Sequence, residues 1–249
     1  MEVSVIYVFM FLVMQKFCII YQTMGRSTGD DMILSYNDVV LRRSDLDILS
    51  GPHFLNDRVI ELYFSYLSSC YPSDNILLVP PSIAFWLQNC SDKDSYKAFV
   101  EPLNLPAKAL VVFPVNNNDD VTKAEAGSHW SLLVYYRTAN VFVHHDSCRG
   151  LNHACSKKLY TSVAKFMGNI DSDVKYQEDQ SSPQQQNGYD CGLFVTAIVR
   201  VICSWYTSSE RVDQEHIWFS DVKEQVTSTT VSKMRNEILN LIKELMSVS

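Results

Sequence analysis

"HWSLLVYYRTANVFVHHDS", residues 129 to 147, is the stretch on which the fold turns. Two runs rich in β-branched and aromatic residues flank a short turn at Thr138-Ala139, which predicts two strands joined by a hairpin. With the turn centred near residues 137 to 139, an antiparallel pairing brings position i opposite 275 − i or 277 − i. His129 then lies opposite residues 146 to 148, beside Asp146. An imidazole and a carboxylate at the mouths of adjacent strands make a base and its orienter. The carboxylate holds the ring's tautomer and stabilises its cation.

"SPQQQNGYDCGLFV", residues 182 to 195, supplies a third group. A polar loop passes through Asn-Gly and Tyr-Asp into Cys191, and an apolar run follows at once. The thiol therefore sits at the first turn of a helix, where outward N–H groups and the macrodipole favour a thiolate. His129, Asp146 and Cys191 form a nucleophile–base–orienter set. Gln185 and Gln186, six and five residues before the cysteine, each offer a side-chain N–H₂ to a developing oxyanion, with the Cys191 N–H as second donor. Gly188 and Gly192 relieve the backbone on either side. Taken singly, a cysteine opening an apolar helix is usually a core residue, and an aspartate before a serine usually starts a turn. Their joint placement argues for chemistry. A metal site on His144, His145, Asp146 and Cys148 is disfavoured, because adjacent strand residues point to opposite faces. We expect no metal and no cofactor.

Elsewhere the pattern predicts helices over "LNDRVIELYFSYLSS" (capped by Asn56 or Asp57), "SIAFWLQNC", "ACSKKLYTSVAKFMG" and "CGLFVTAIVRVICSWY", the last apolar nearly all round and hence buried. "ALVVFPV" and "DVKYQE" are further strand candidates, and a closing helix carries Val231, Met234, Ile238, Leu241 and Leu245 on one stripe. Helices with a mainly antiparallel sheet in mid-chain read as α+β.

The composition, 47% apolar and 20% charged over 249 residues, is that of an ordinary globular protein. A net charge of −7 with no basic stripe argues against a nucleic-acid surface. Seven scattered cysteines without a C-x-x-C pair argue against a disulfide framework and a zinc knuckle, and fit a cytoplasmic or nuclear protein. Residues 1–23 form an apolar extension, "VSVIYVFMFLVM" followed by Gln15, Lys16 and "FCIIY". It lacks a basic start and a cleavage site, and is interrupted as a membrane span. We read it as a gene-model extension ahead of Met24, with a signal-type or membrane anchor as the alternatives. Residues 24–249 then form a single catalytic domain, expected to act as a monomer.

"HWSLLVYY", "HHDS" and "QQQNGYDCG" together resemble the sentrin-specific, ubiquitin-like-protein-processing cysteine protease family. "FLNDRVIELYFSYL" is similar to that family's helical segment introduced by Trp-Leu-Asn-Asp. The resemblance runs from about Leu34 to the closing helix. It implies a papain-like fold of the ubiquitin-like protease type, a central mixed or antiparallel sheet flanked by helices. It implies His129 as base, Asp146 as orienter and Cys191 as nucleophile, and selects Gln185 over Gln186 for the oxyanion. Trp130 matches the aromatic that covers a substrate diglycine in a narrow tunnel, with Phe54 in the facing wall. Asp57 is expected to cap the helix beginning near Arg58 or, as the alternative, to meet an arginine of the modifier's tail. "SYNDVVLRRSDLDIL" and "EPLNLP" look most like the deneddylase branch, whose partner is the Nedd/RUB modifier and its conjugates. A SUMO protease and an inactive modifier-binding protein are the rival readings. Two departures stand out: Phe54 replaces the expected tryptophan, and His145 precedes the orienting aspartate, whose pKa it could perturb.

Overall fold

In the computed structural model, which describes residues 30–90, 93–123, 126–168, 173–208 and 217–248, the first element is a hairpin of β1 (Met32–Tyr36) and β2 (Val39–Arg42). Asn37 and Asp38 turn it at φ of 45° and 69°, the left-handed region that these two side chains tolerate. Helices α1 (Arg43–Ser50) and α2 (Asp57–Cys70) follow, then β3 (Ile76–Leu78), α3 (Pro81–Asn89) and α4 (Lys93–Val100). The middle of the chain supplies β4 (Leu110–Asn116), β5 (Trp130–Tyr136), β6 (Val141–His145), α5 (His153–Val163) and β7 (Lys175–Glu178). Three helices complete it: α6 (Cys191–Thr207), α7 (Phe219–Gln225) and α8 (Ser228–Val248).

The larger sheet runs β3-β4-β5-β6-β7. Its centre, β4-β5-β6, is antiparallel, whereas β3 and β7 lie parallel to their neighbours. The fold is therefore α+β with a mixed sheet. In the β5–β6 hairpin Leu132 faces His145 and Tyr136 faces Val141, the 277 − i register.

Alternation along β5 divides the interior in two. Leu132, Val134 and Tyr136 join a core with α2, α6 and α8. Leu133 and Tyr135 join a second core with α3, α5 and Tyr96 of α4. Both faces of the strand are covered, so every residue of it is buried. Helix α6 lies against β5 and is buried along almost its whole length, as an apolar circumference requires. The stripe on α8 differs from expectation at its far end. Val231, Met234 and Ile238 are buried, but the next buried residue is Ile242, and Leu241 and Leu245 become half-buried flanks. Among the described residues no helix is long and apolar enough to cross a membrane. The expectations for residues 1–23 lie outside the described residues.

Candidate active site

The β5–β6 ladder ends at Leu132 and His145, so the residues beyond it can leave strict register. His129 Nε2 donates to Asp146 Oδ1 at 2.6 Å, a contact across the splayed strand ends. Both residues are buried, with 2% and 5% of their surface exposed. Asp146 also accepts the backbone N–H of Cys148 at 2.9 Å and of Asn152 at 3.0 Å. Burial alone would raise its pKa; the His129 bond and the two N–H groups hold it below the usual carboxylate value.

The ring of His129 responds in the opposite sense. Burial favours the neutral imidazole, but the bond to Asp146 and a second bond to the Cys191 side chain outweigh it, raising the pKa to about 9. Because Nε2 faces Asp146, Nδ1 is the nitrogen left for the thiol. Cys191 is fully buried and is the first residue of α6, whose first turn has no side-chain cap. The following glycine is required by packing: a Cβ at Gly192 would stand 2.8 Å from Leu55 Cβ. The segment around Leu55 thus lies directly over the start of α6. This arrangement sets the thiol beside a histidine that is charged at neutral pH.

A raised histidine pKa stabilises the fold fully below about pH 6.5, and that contribution is lost as pH climbs through about 9. We therefore expect the melting-temperature advantage of wild type over His129→Gln to shrink between these limits. A gap that is constant or widens with pH would show that His129 is not held charged.

The loop before α6 is tied to the chain after β6. Gln185 N–H donates to Ser147 O at 2.8 Å, and Gln184 Nε2 donates to Asp146 O at 2.9 Å. Gln185 Oε1 accepts the Ser147 hydroxyl at 2.8 Å while its Nε2 donates to Asn187 O at 2.7 Å. These partners fix the amide's orientation and leave Nε2 a second N–H. Gln186 is exposed.

Trp130 is buried, and its indole N–H donates to Leu55 O at 2.8 Å. Phe54, one residue earlier, is 45% exposed. The two aromatics are thereby coupled through one backbone hydrogen bond, with Leu55 packed on Gly192 between them and α6. Asp57 is not the cap of α2. Asn56 takes that role, accepting Val59 N–H at 3.1 Å while donating to the buried Asp45 at 2.6 Å. Asn56 has the extended backbone that a cap needs, whereas Asp57 is already helical. Asp57 instead sits in the first turn, and burial together with its charge pushes the pKa of Glu61, one turn on, up to about 7.

The adjacent histidines on β6 do diverge. His144 donates to Glu178 and accepts from Ser131 at 2.8 and 2.9 Å. His145 bonds Ser182 at 2.9 Å and Asp179 at 3.0 Å through Nδ1, and its Nε2 accepts the Trp218 indole N–H at 2.9 Å. Indole only donates, so His145 is the Nδ1–H tautomer. It faces away from Asp146. Among the described residues no cluster of metal-ligating side chains occurs.

Sequence reasoning passed over several polar residues around the site. Asn152 donates its amide to the carbonyls of Val115 and His129 and to Ser131 Oγ, joining the backs of β4 and β5 to the loop that carries Asp146. Asn187 accepts two backbone N–H bonds from Tyr189 and Asp190 and so shapes the turn before Cys191. An asparagine inside a polar loop carries no pattern that would have marked either.

The model of the Ulp1 protease family, C-terminal catalytic domain, matches residues 53–247. The chain belongs to the Ulp1 protease family. It is accordingly a cysteine-type protease. NEDD8-specific protease 1 of Arabidopsis thaliana is 55% identical over 226 residues, covering 91% of this chain and 99% of that protein. Sentrin-specific protease 8 of Homo sapiens is 31% identical, covering 87% of this chain and 98% of that protein. The X-ray structure of the C-terminal Ulp1 protease domain in complex with Smt3, the yeast orthologue of SUMO, superposes with a TM-score of 0.63. It covers 88% of this chain and 90% of that one at 18% identity, a likeness of fold alone.

Proposed function

We propose that this Ulp1-family protease cleaves after the C-terminal diglycine of a Nedd/RUB-type modifier, maturing its precursor and releasing it from conjugated lysines. The observation that carries the chemistry is a buried histidine 2.6 Å from a buried aspartate, with the buried Cys191 at a helix start as one of the groups that raise its pKa. The choice of modifier is supported by the 55% identity to a NEDD8-specific protease across nearly its whole length. Free thiols at Cys70, Cys148, Cys155, Cys191 and Cys203 support a reducing compartment, the cytoplasm or nucleus.

In this mechanism the modifier's extended tail lies between Trp130 and Phe54, where glycines pass and larger side chains clash. The Cys191 thiolate attacks the terminal glycine carbonyl. Gln185 Nε2–H and the Cys191 N–H receive the oxyanion. Collapse breaks the C–N bond as His129 gives its proton to the departing amine, a lysine ε-amine or the α-amine of a propeptide. The imidazole then takes a proton from water, whose hydroxide attacks the thioester. The second collapse releases the glycine carboxylate and restores the thiolate. Asp146 orients the ring throughout.

Incubation with RUB-type and SUMO-type precursors, scoring tail removal, tests the assignment. Processing of the RUB type alone is expected, and preferential processing of the SUMO type would overturn it. Asp57→Asn tests the arginine contact, since Asn56 already caps the helix: a raised KM with unchanged melting temperature is expected. An unchanged KM would remove Asp57 from the binding surface.

Phe54 offers a flat face with less area than indole. Some tens of Å² of apolar contact amount to about 1 kcal/mol at roughly 25 cal/mol per Å². Because the tail is held in ground and transition states alike, KM should move more than kcat. Phe54→Trp is expected to lower KM several-fold, and Phe54→Ala to raise it by about tenfold or more. Indifference to both changes would mean that residue 54 does not line the tunnel.

A further inference from the structure

An aspartate in the N-cap position normally turns its carboxylate onto the second or third N–H of the helix. Asp190, the N-cap of α6, does not: no side chain caps that first turn. Its Oδ1 instead accepts from Arg235 Nη2 at 2.9 Å, and its Oδ2 accepts from Asn187 Nδ2 at 2.8 Å. Arg235 comes from α8, 45 residues away, and both partners of this ion pair are only 13% exposed. The same guanidinium donates to Ile48 O at 2.9 Å and to His53 O at 3.0 Å. It also lies 5.8 Å from the ring centroid of Tyr189.

We propose that Arg235 is a positioning residue of the active site, which ties down the residue before Cys191 through the Asp190 carboxylate and pins the backbone beside Phe54. Asp190 lies at φ −90° and ψ 7°, not in the extended conformation of a side-chain cap, so its carboxylate joins the start of α6 to α8 and to the Asn187 turn instead. Released from Arg235, that junction loosens, and the thiol and its N–H lose their fixed place against the reacting carbonyl. The wall is set by the same side chain. The His53 carbonyl is held by Arg235 and the Leu55 carbonyl by Trp130, so Phe54 is fixed between two anchored peptide groups. Arginine suits the task because a planar fork can serve a carboxylate and two carbonyls at once, which an ammonium cannot.

The inference rests on the assignment of Cys191 as nucleophile and Phe54 as tunnel wall, and its test keeps the two apart. Steady-state kinetics of the full chain on a RUB-type precursor are measured for wild type, Arg235→Gln, Asp190→Ala, the double variant and Arg235→Lys, each with its melting temperature. Arg235→Gln should lower kcat by about tenfold and raise KM several-fold, because both the nucleophile and the wall are released. Because the two residues act as one tie, Asp190→Ala should lower kcat by a similar factor and the double variant should lose no more than Arg235→Gln, while KM rises only where Arg235 is lost. Arg235→Lys keeps a charge for Asp190 but not both carbonyl bonds, so kcat should hold and KM rise. Wild-type kinetics in Arg235→Gln, or kcat losses of the two single variants that add in the double variant, would overturn the proposal. Should Arg235→Gln fail to fold, Arg235→Lys decides, and an unchanged KM there is the adverse result. A wild-type protein inert on the precursor would overturn the function proposed above and not this inference.

Discussion

Cys191→Ala is expected to abolish cleavage of the precursor while leaving its binding intact. In the proposed mechanism the tail is gripped by Trp130, Phe54 and the surfaces beyond them, and the sulfur contributes a bond to carbon that alanine cannot form. The fold should survive, since the change removes a single atom, the sulfur, from a buried site at a helix start. A second signature accompanies it. The thiol is one of the groups that raise the pKa of His129 to about 9, so the alanine variant should titrate lower when followed by histidine NMR. Residual turnover by a homogeneous Cys191→Ala protein would end the assignment of the nucleophile. Lost binding would mean that the thiol side of the site, and not the tunnel, holds the tail.

Gln185→Ala comes next, with an expected loss in kcat of roughly two to three orders of magnitude, the usual effect of deleting one oxyanion donor. Gln186→Ala should change little, because that side chain is exposed and Gln185 is the one anchored between Ser147 and Asn187. The anchoring complicates the alanine, which also frees the loop. Gln185→Glu keeps one of the two anchors. A carboxylate can still accept from Ser147, but it has no N–H for Asn187 O or for the oxyanion, to which it also brings like charge. Activity at least as low as in the alanine variant is expected. If Gln186→Ala were the damaging change instead, the donor would be one residue further along.

Much of this site was legible because two of its members lie on one hairpin. A separation of 17 residues and a two-strand geometry constrain His129 and Asp146 to within one register step of each other. Cys191 was legible for another reason, the abrupt passage from polar loop to buried helix. The sheet's centre came from the same period-two and apolar-run logic. What the sequence hid was pairing at long range. Short β3 and the β1–β2 hairpin carry too few residues to show a pattern. The choice of Asn56 over Asp57 as cap depends on Asp45, eleven residues away, whose carboxylate receives the other side of the Asn56 amide. The Arg235–Asp190 pair joins residues with no periodic relation, so nothing local announces it.

The groups of the site are spread along the chain in the order Phe54, His129, Asp146, Cys191, Arg235, and α8 must pack against both α1 and α6 before the last of them is in place. During synthesis the base and its orienter emerge together and need only a hairpin to meet. The thiol follows, and the residue that holds the Asp190 carboxylate emerges later still. A nascent chain stalled before α8 lacks the bonds from Arg235 to His53 O and Asp190. In the proposed mechanism such a chain has no held wall for the tail, so processing of the modifier awaits the docking of α8.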